Sequence, residues 1–263
     1  MDEVYDVIVC PSTLENPRHD TQTIFKMKDG RLLLAWSEYY VNKPSRITRL
    51  LYSGFAATDG DPCRISARIS EDKGRTWGGR FVLQDNIGKV NVKHPNLLRL
   101  PSGEILFFFT IWNSLTDRRI CMKRSSDDCE NWSETVQISS SPGFHCINND
   151  HVLKLSSGKI LVPTHMSPFY GKGDHYRAFC YYSDDDGYTW NEGKGKIDLP
   201  DRGAEEPSIV ELKDGSLLAA VRTMLGRVYK SHSHDGGETW TGVEPTELAA
   251  PASPPLLKRI PKT

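Results

Sequence analysis

Arg222 stands inside the apolar run LAAVRTML, where a guanidinium is costly to bury unless it is paired or faces a wet cavity. Two readings of it stand: a grip on an anionic ligand, since its fork of donors matches a carboxylate, and an internal salt bridge. Ser37, Thr110, His165 and Arg222 each follow a glycine by seven residues. On pleated strands such matched positions share an orientation. His165 reads either as a ligand contact or as a hydrogen-bonded structural histidine. A second set precedes the same glycines: Arg18, His19 and Asp20; His94 and Asn96; Asn149, Asp150 and His151; Glu205 and Glu206. Polar side chains recurring at matched places point to one shared site, with ordinary polar loop residues as the alternative.

Asp59 and Asp61 close the segment YYVNKPSRITRLLYSGFAATDGDPC, which runs between Glu38 and Arg64. It is too long for a plain connection, and long loops over a scaffold are often lids. Either aspartate could hang over the site as a proton donor; a turn aspartate is the competing reading.

The positioning elements come from two repeated phrases. FKMKDGRLLLAW (25–36), LRLPSGEILFFF (98–109), LKLSSGKILVPT (153–164) and VELKDGSLLAAV (210–221) each read as two strands joined by a two-residue Asp-Gly or Ser-Gly turn. SEDKGRTW (70–77), SSDDCENW (125–132), SDDDGYTW (183–190) and SHDGGETW (233–240) read as a second turn, pinned by an Asp and plugged by a Trp. Four equivalent turns indicate architecture before chemistry. Asp184, Asp185 and Asp186 lack the alternation of a calcium loop. The second copy has Cys129 in place of glycine and Asn131 in place of threonine, which predicts a distorted turn there.

Each module therefore holds four antiparallel strands, and its tryptophan (Trp77, Trp132, Trp190, Trp240) recurs after 55, 58 and 50 residues. The expectation is an all-β chain: a β-propeller of four-stranded blades, spanning 1–263 as a single partial domain. In such a ring the loops entering the inner strands converge on one funnel. LLKRIPKT (256–263) resembles the opening of a fifth module. Six modules would need ~330 residues at this period, so the sequence reads as part of a longer ring or as an open arc.

With 263 residues, 38% hydrophobic, and a net charge of −1, the composition predicts a sizeable core and argues against nucleic acid or a membrane surface as partner. If residue 1 is the true start, no signal peptide is visible and a cytoplasmic location follows. The six cysteines show no metal-type pairing and read as buried free thiols; no metal or cofactor is expected.

These residues resemble the Asp-box sialidases and their BNR-repeat relatives, six-bladed propeller glycosidases. EEPSIVELKDGSLLAAVR carries the family's separation of sixteen residues between a glutamate and an arginine, here Glu206 and Arg222. The resemblance implies Glu206 as the base that polarises a tyrosine nucleophile, Arg222 as a carboxylate clamp, and Asp61 or Asp59 as the acid/base. It implies a carbohydrate partner, a sialoside or another acidic glycan; the positions matched around the turn glycines offer Arg18, Asp20, Asn96, Asn149, Asp150 and His165 as further substrate contacts. The family's opening R-I-P signature is absent; the R-I-P of 259–261 falls in the wrong module, and Arg18 lies at a shifted position. With the tyrosine and third arginine expected beyond residue 263, weak or no turnover is anticipated. Two rivals stand beside this reading: a uronate-specific propeller lyase or hydrolase using histidines for proton transfer, and a non-catalytic sugar-binding propeller.

Overall fold

The glycine-centred turns form where expected, but with three loop residues and not two. In the first, the Met27 N–H donates to the Arg31 carbonyl at 2.8 Å and the Gly30 N–H to the Met27 carbonyl at 3.1 Å. Gly30 takes φ +94°, the left-handed residue that follows a type I turn in a three-residue hairpin. The computed structural model in which these turns are seen describes residues 6–41 and 57–259. Most of the segment expected to act as a lid, residues 42–56, lies outside them.

The second kind of turn is also uniform. Asp72, Asp127 and Asp185 accept the backbone N–H four residues on at 2.8 Å, and Asp235 does so at 2.9 Å. The expected distortion at Cys129 does not occur. Its N–H reaches Ser125 Oγ at 3.0 Å, and its φ of +77° lies close to the +89° of Gly74 and +81° of Gly187. Asn131 replaces threonine without loss, because its amide donates to the second carboxylate oxygen of Asp127 at 2.7 Å. The hydrogen-bond frame overrides the steric preference of one residue.

Among the described residues every regular element is a strand. The first sheet pairs β1 (His19–Lys26), β2 (Leu32–Tyr39), β3 (Cys63–Ser70) and β4 (Phe81–Gln84) in chain order. The last does the same with β14 (Glu205–Glu211), β15 (Leu217–Arg222), β16 (Arg227–Ser233) and β17 (Glu244–Ala249). Between them lie β5 (Asn91–Arg99), β6 (Ile105–Ser114), β7 (Asp117–Ser125) and β8 (Val136–Gln137), then β9 (Gly143–Ile147), β10 (Leu153–Lys154), β11 (Ile160–Ser167), β12 (Arg177–Ser183) and β13 (Asn191–Glu192). These two units are fused, contrary to the expected separate quartets. The first strand of the third unit is split into β9 and β10, and β9 also pairs in parallel with β7.

The core lies between successive units. Phe107 and Phe109 of β6 pack towards the first sheet with Leu33, Ala35 and Ile65, whereas Leu106 and Phe108 pack towards the third unit with Ile160 and Val162. Leu161 turns the other way to meet Leu217 and Ala219 of the last sheet. Burial on both faces explains why these second strands read as continuous apolar runs and not as alternating ones. Four of the six cysteines, Cys63, Cys121, Cys146 and Cys180, are buried free thiols. Residues 256–259, expected to open another strand, are irregular; the Leu257 N–H donates to Ser208 Oγ at 2.9 Å.

Candidate functional site

The first strand of each unit breaks its pairing at the same place. Register shifts between Asp20 and Thr23, between Lys93 and Asn96, and between Glu205 and Ser208, while in the third unit the gap between β9 and β10 takes that position. Inside the three bulges Thr21, His94 and Glu206 adopt φ of +45°, +62° and +47°. A bulge re-aims side chains, and left-handed backbone at non-glycine residues is a strain concentrated at functional places. The register sets Ser37, Thr110, His165 and Arg222 opposite Asp20, Lys93, Cys146 and Glu205, so the matched set read from the sequence does share the same strand end in all four units.

There a cavity of about 180 Å³ opens. On one side Glu206 meets Arg222 at 2.9 Å, and Glu205 meets Arg202 at 3.4 Å. Arg202 is held from behind by Asp174 at 3.0 Å. Burial pushes the Glu205 carboxyl above its ordinary range against the pull of Arg202 and Arg222, and its Oε1 has no hydrogen-bond partner. Glu205 thereby holds a proton more readily than an ordinary solvent-exposed glutamate.

On the opposite side Lys93 lies 3.3 Å from Asp59 and 3.6 Å from Asp20, and Arg18 bridges the same two carboxylates at 2.8 and 2.6 Å. Burial acts to raise the Asp59 pKa, but Lys93 and Arg18 outweigh it and leave the carboxyl below its usual range. Between the two walls sit His94, His165, Tyr170, Tyr176 and Arg118. Burial and the nearby Arg118 hold both imidazoles well below the usual histidine range, so both are neutral at physiological pH. Among the described residues no cluster of histidine, cysteine and carboxylate side chains could hold a metal.

The sequence-derived candidates divide. Glu206, Arg222 and His165 line the cavity, and Arg18 and Asp20 border it through Asp59 and Lys93. Asp61 does not line it: its carboxylate accepts the N–H of Thr58 at 2.5 Å and the Thr58 hydroxyl at 2.9 Å, pinning the turn that presents Asp59. Asn96 is 1% exposed and structural, donating to the Asn148 carbonyl and accepting the His151 N–H, which ties the second unit to the third. Asn149 donates to the Gln22 carbonyl, and Asp150 accepts from Thr23 and Lys258. Both serve contacts between units; Asp150 borders a separate hollow of about 210 Å³ beside β14. The amides of Asn96 and Asn149, next to interrupted strands, are consumed by backbone groups that would otherwise be left unpaired.

Lys93, Arg118, Arg202 and Tyr176 were not anticipated. A signal for Lys93 existed, because it stands ten residues before its turn glycine, as Asp20 and Glu205 do. Arg118, in the charged stretch DRRICMKRS, and Arg202, in a loop, carried none.

Comparison with known proteins agrees with this architecture. A family model described as "BNR repeat-like domain" matches residues 48–261. An anhydrosialidase of Macrobdella decora is 28% identical over 154 residues, which cover 54% of this chain and 19% of that protein. The chain thus spans about a fifth of this curated relative. Among solved structures, a protein of unknown function from Dyadobacter fermentans superposes with a TM-score of 0.75 at 19% identity, covering 92% of this chain and 72% of that one. The intramolecular trans-sialidase from Ruminococcus gnavus, in complex with oseltamivir carboxylate, superposes with a TM-score of 0.68 at 15% identity, covering 93% and 74%. At such identities the structural likeness establishes a sialidase-like fold.

Proposed function

The chain belongs to the BNR repeat-like domain family, and from that premise we propose that it is a glycoside hydrolase of the sialidase type, acting on a terminal sugar that bears a carboxylate. On this reading the four units are successive blades of a propeller and the cavity is its substrate funnel. The observation that carries it is the convergence of Glu206 and Arg222, 2.9 Å apart, in a cavity that also holds Lys93, Arg118 and Arg202.

Arg222 would receive the sugar carboxylate as its Glu206 partner turns to the reacting group. Glu205, with its raised pKa, would supply a proton to the departing oxygen, a task for which the salt-bridged Asp59 is less suited. Among the described residues no tyrosine hydroxyl bonds to Glu206, so turnover is expected to be slow. Release of a fluorogenic aglycone from a sialoside, abolished in Glu206→Gln and in Arg222→Ala, is the expected result; undiminished release in either variant would refute the assignment.

A second reading draws on the neutral imidazole of His165, which lies near buried Arg118 and whose Nδ1 has no hydrogen-bond partner among the described residues. A neutral histidine can remove the proton next to a uronate carboxylate, and elimination then leaves a double bond. Absorbance of an unsaturated product from uronate polymers, without release of sialic acid, would favour this reading over hydrolysis.

A further inference from the structure

Counting charge around the cavity singles out one group. Arg222, Arg202 and Lys93 each have a carboxylate within 3.6 Å, whereas Arg118, 6% exposed, has none within ion-pair distance among the described residues. Its donors go to neutral acceptors: Nη2 to His94 Nδ1 at 2.8 Å, Nε to Thr110 Oγ1 at 3.3 Å and Nη1 to Cys146 Sγ at 3.2 Å. The guanidinium lies over the rings of Phe144 and Trp112, 5.1 and 5.6 Å from their centroids. A buried cation without a counter-charge is costly, and a bound anion relieves that cost.

Arg118 can only donate, so the Nδ1 it touches must accept, and the ring proton of neutral His94 is therefore on Nε2. Nε2 has no hydrogen-bond partner among the described residues, and the left-handed backbone of His94 turns the ring into the cavity wall. A cation thus polarises a neutral donor from behind. We infer that the sugar carboxylate received by Arg222 also accepts the Nε2–H of His94, beside Lys93 in the same cavity, with the charge of Arg118 transmitted through the ring. This rests on the proposal that the ligand is an acid sugar. It adds a contact from the second unit to the one that Arg222 makes from the last. His94 makes the contact, and Arg118 is a positioning residue.

The test is calorimetric binding of N-acetylneuraminic acid and glucuronic acid, with galactose as the neutral control. His94→Ala should weaken binding of the preferred acid by about tenfold or more and leave galactose unchanged, whereas His94→Gln, which keeps a donor near the Nε2 position, should stay within about threefold of the parent. Histidine-selective ¹⁵N spectra of the ligand-free protein, with the His94 signal identified by its loss in His94→Gln, should show the proton on Nε2. A proton on Nδ1, or acid binding untouched by His94→Ala, overturns the inference. If the parent protein binds neither acid while the ¹⁵N spectrum shows the Nε2–H form, the acid-sugar reading itself fails and takes this contact with it.

Discussion

Glu206 and Arg222 hold each other at 2.9 Å although the strand register sets Glu205, not Glu206, opposite Arg222. Neighbouring residues on a regular strand point to opposite faces. The bulge after Glu205 and the φ of +47° at Glu206 bring both glutamates to the cavity.

Because Glu206 competes with any anionic ligand for Arg222, the two should respond oppositely to substitution. Arg222→Ala is expected to weaken an acid monosaccharide by about 10- to 100-fold, the worth of a charge-assisted contact of about 1.5–3 kcal/mol. Glu206→Gln should leave its binding unchanged or tighter. Titration calorimetry on both variants decides; weakening by Glu206→Gln would contradict the competition.

Gly203 precedes the strand that carries Glu205 and follows Arg202. Its φ is +85°, and a Cβ there would stand 2.0 Å from the Tyr176 carbonyl oxygen. Gly203→Ala should therefore cost about 3 kcal/mol or more, combining left-handed strain with overpacking. It should also displace Arg202 and Glu205, so that ligand affinity falls together with the chemical denaturation midpoint.

Cys129 occupies a left-handed position that glycine fills in the other three copies. Removing a Cβ from such a place returns about 1–2 kcal/mol, against which the partly buried thiol loses some packing on Phe107 and its neighbours. A net gain below about 1 kcal/mol is expected for Cys129→Gly, seen as a melting rise of about 2 °C. A drop would show that the thiol packing dominates.

His151 is 8% exposed, and its pKa is lowered to about 4, first by burial and then by Lys258. The unfolded chain takes up this proton near pH 6.5 and the folded one only near 4, so its contribution to stability is full above about 6.5 and is lost as pH falls towards 4. The loss is on the order of 3 kcal/mol. Asp72, Asp127 and Asp185, held at about 2 chiefly by hydrogen bonds from Thr76, Asn131 and Thr189, act in a lower window: their stabilisation is present above about 3.8 and fades towards 2. Urea midpoints measured from pH 8 to 2 should fall in two stages, and His151→Gln should make the upper one shallower, the remaining slope belonging to the other buried histidines such as His94 and His165.

Local periodicity carried the all-β class, the paired turns and the recurring module, because a hairpin glycine and an Asp-pinned turn act over a handful of residues. It also carried the alignment of Ser37, Thr110, His165 and Arg222, since equal spacing from a turn leaves side chains at equal depth on successive sheets. What it did not carry was the outcome of competition for each polar group. Asn96 and Asp61 are chemically as able as Glu206, yet unpaired backbone amides claimed them first. Arg118 and Arg202 come from a third strand and a loop, with no periodic mark, and only the folding of the chain brings them within reach of His94 and Glu205. The sequence alone determined which side chains were available at the ends of the strands. Tertiary structure decided which of them kept a free hydrogen-bonding atom and an uncompensated charge, because both depend on neighbours remote in sequence.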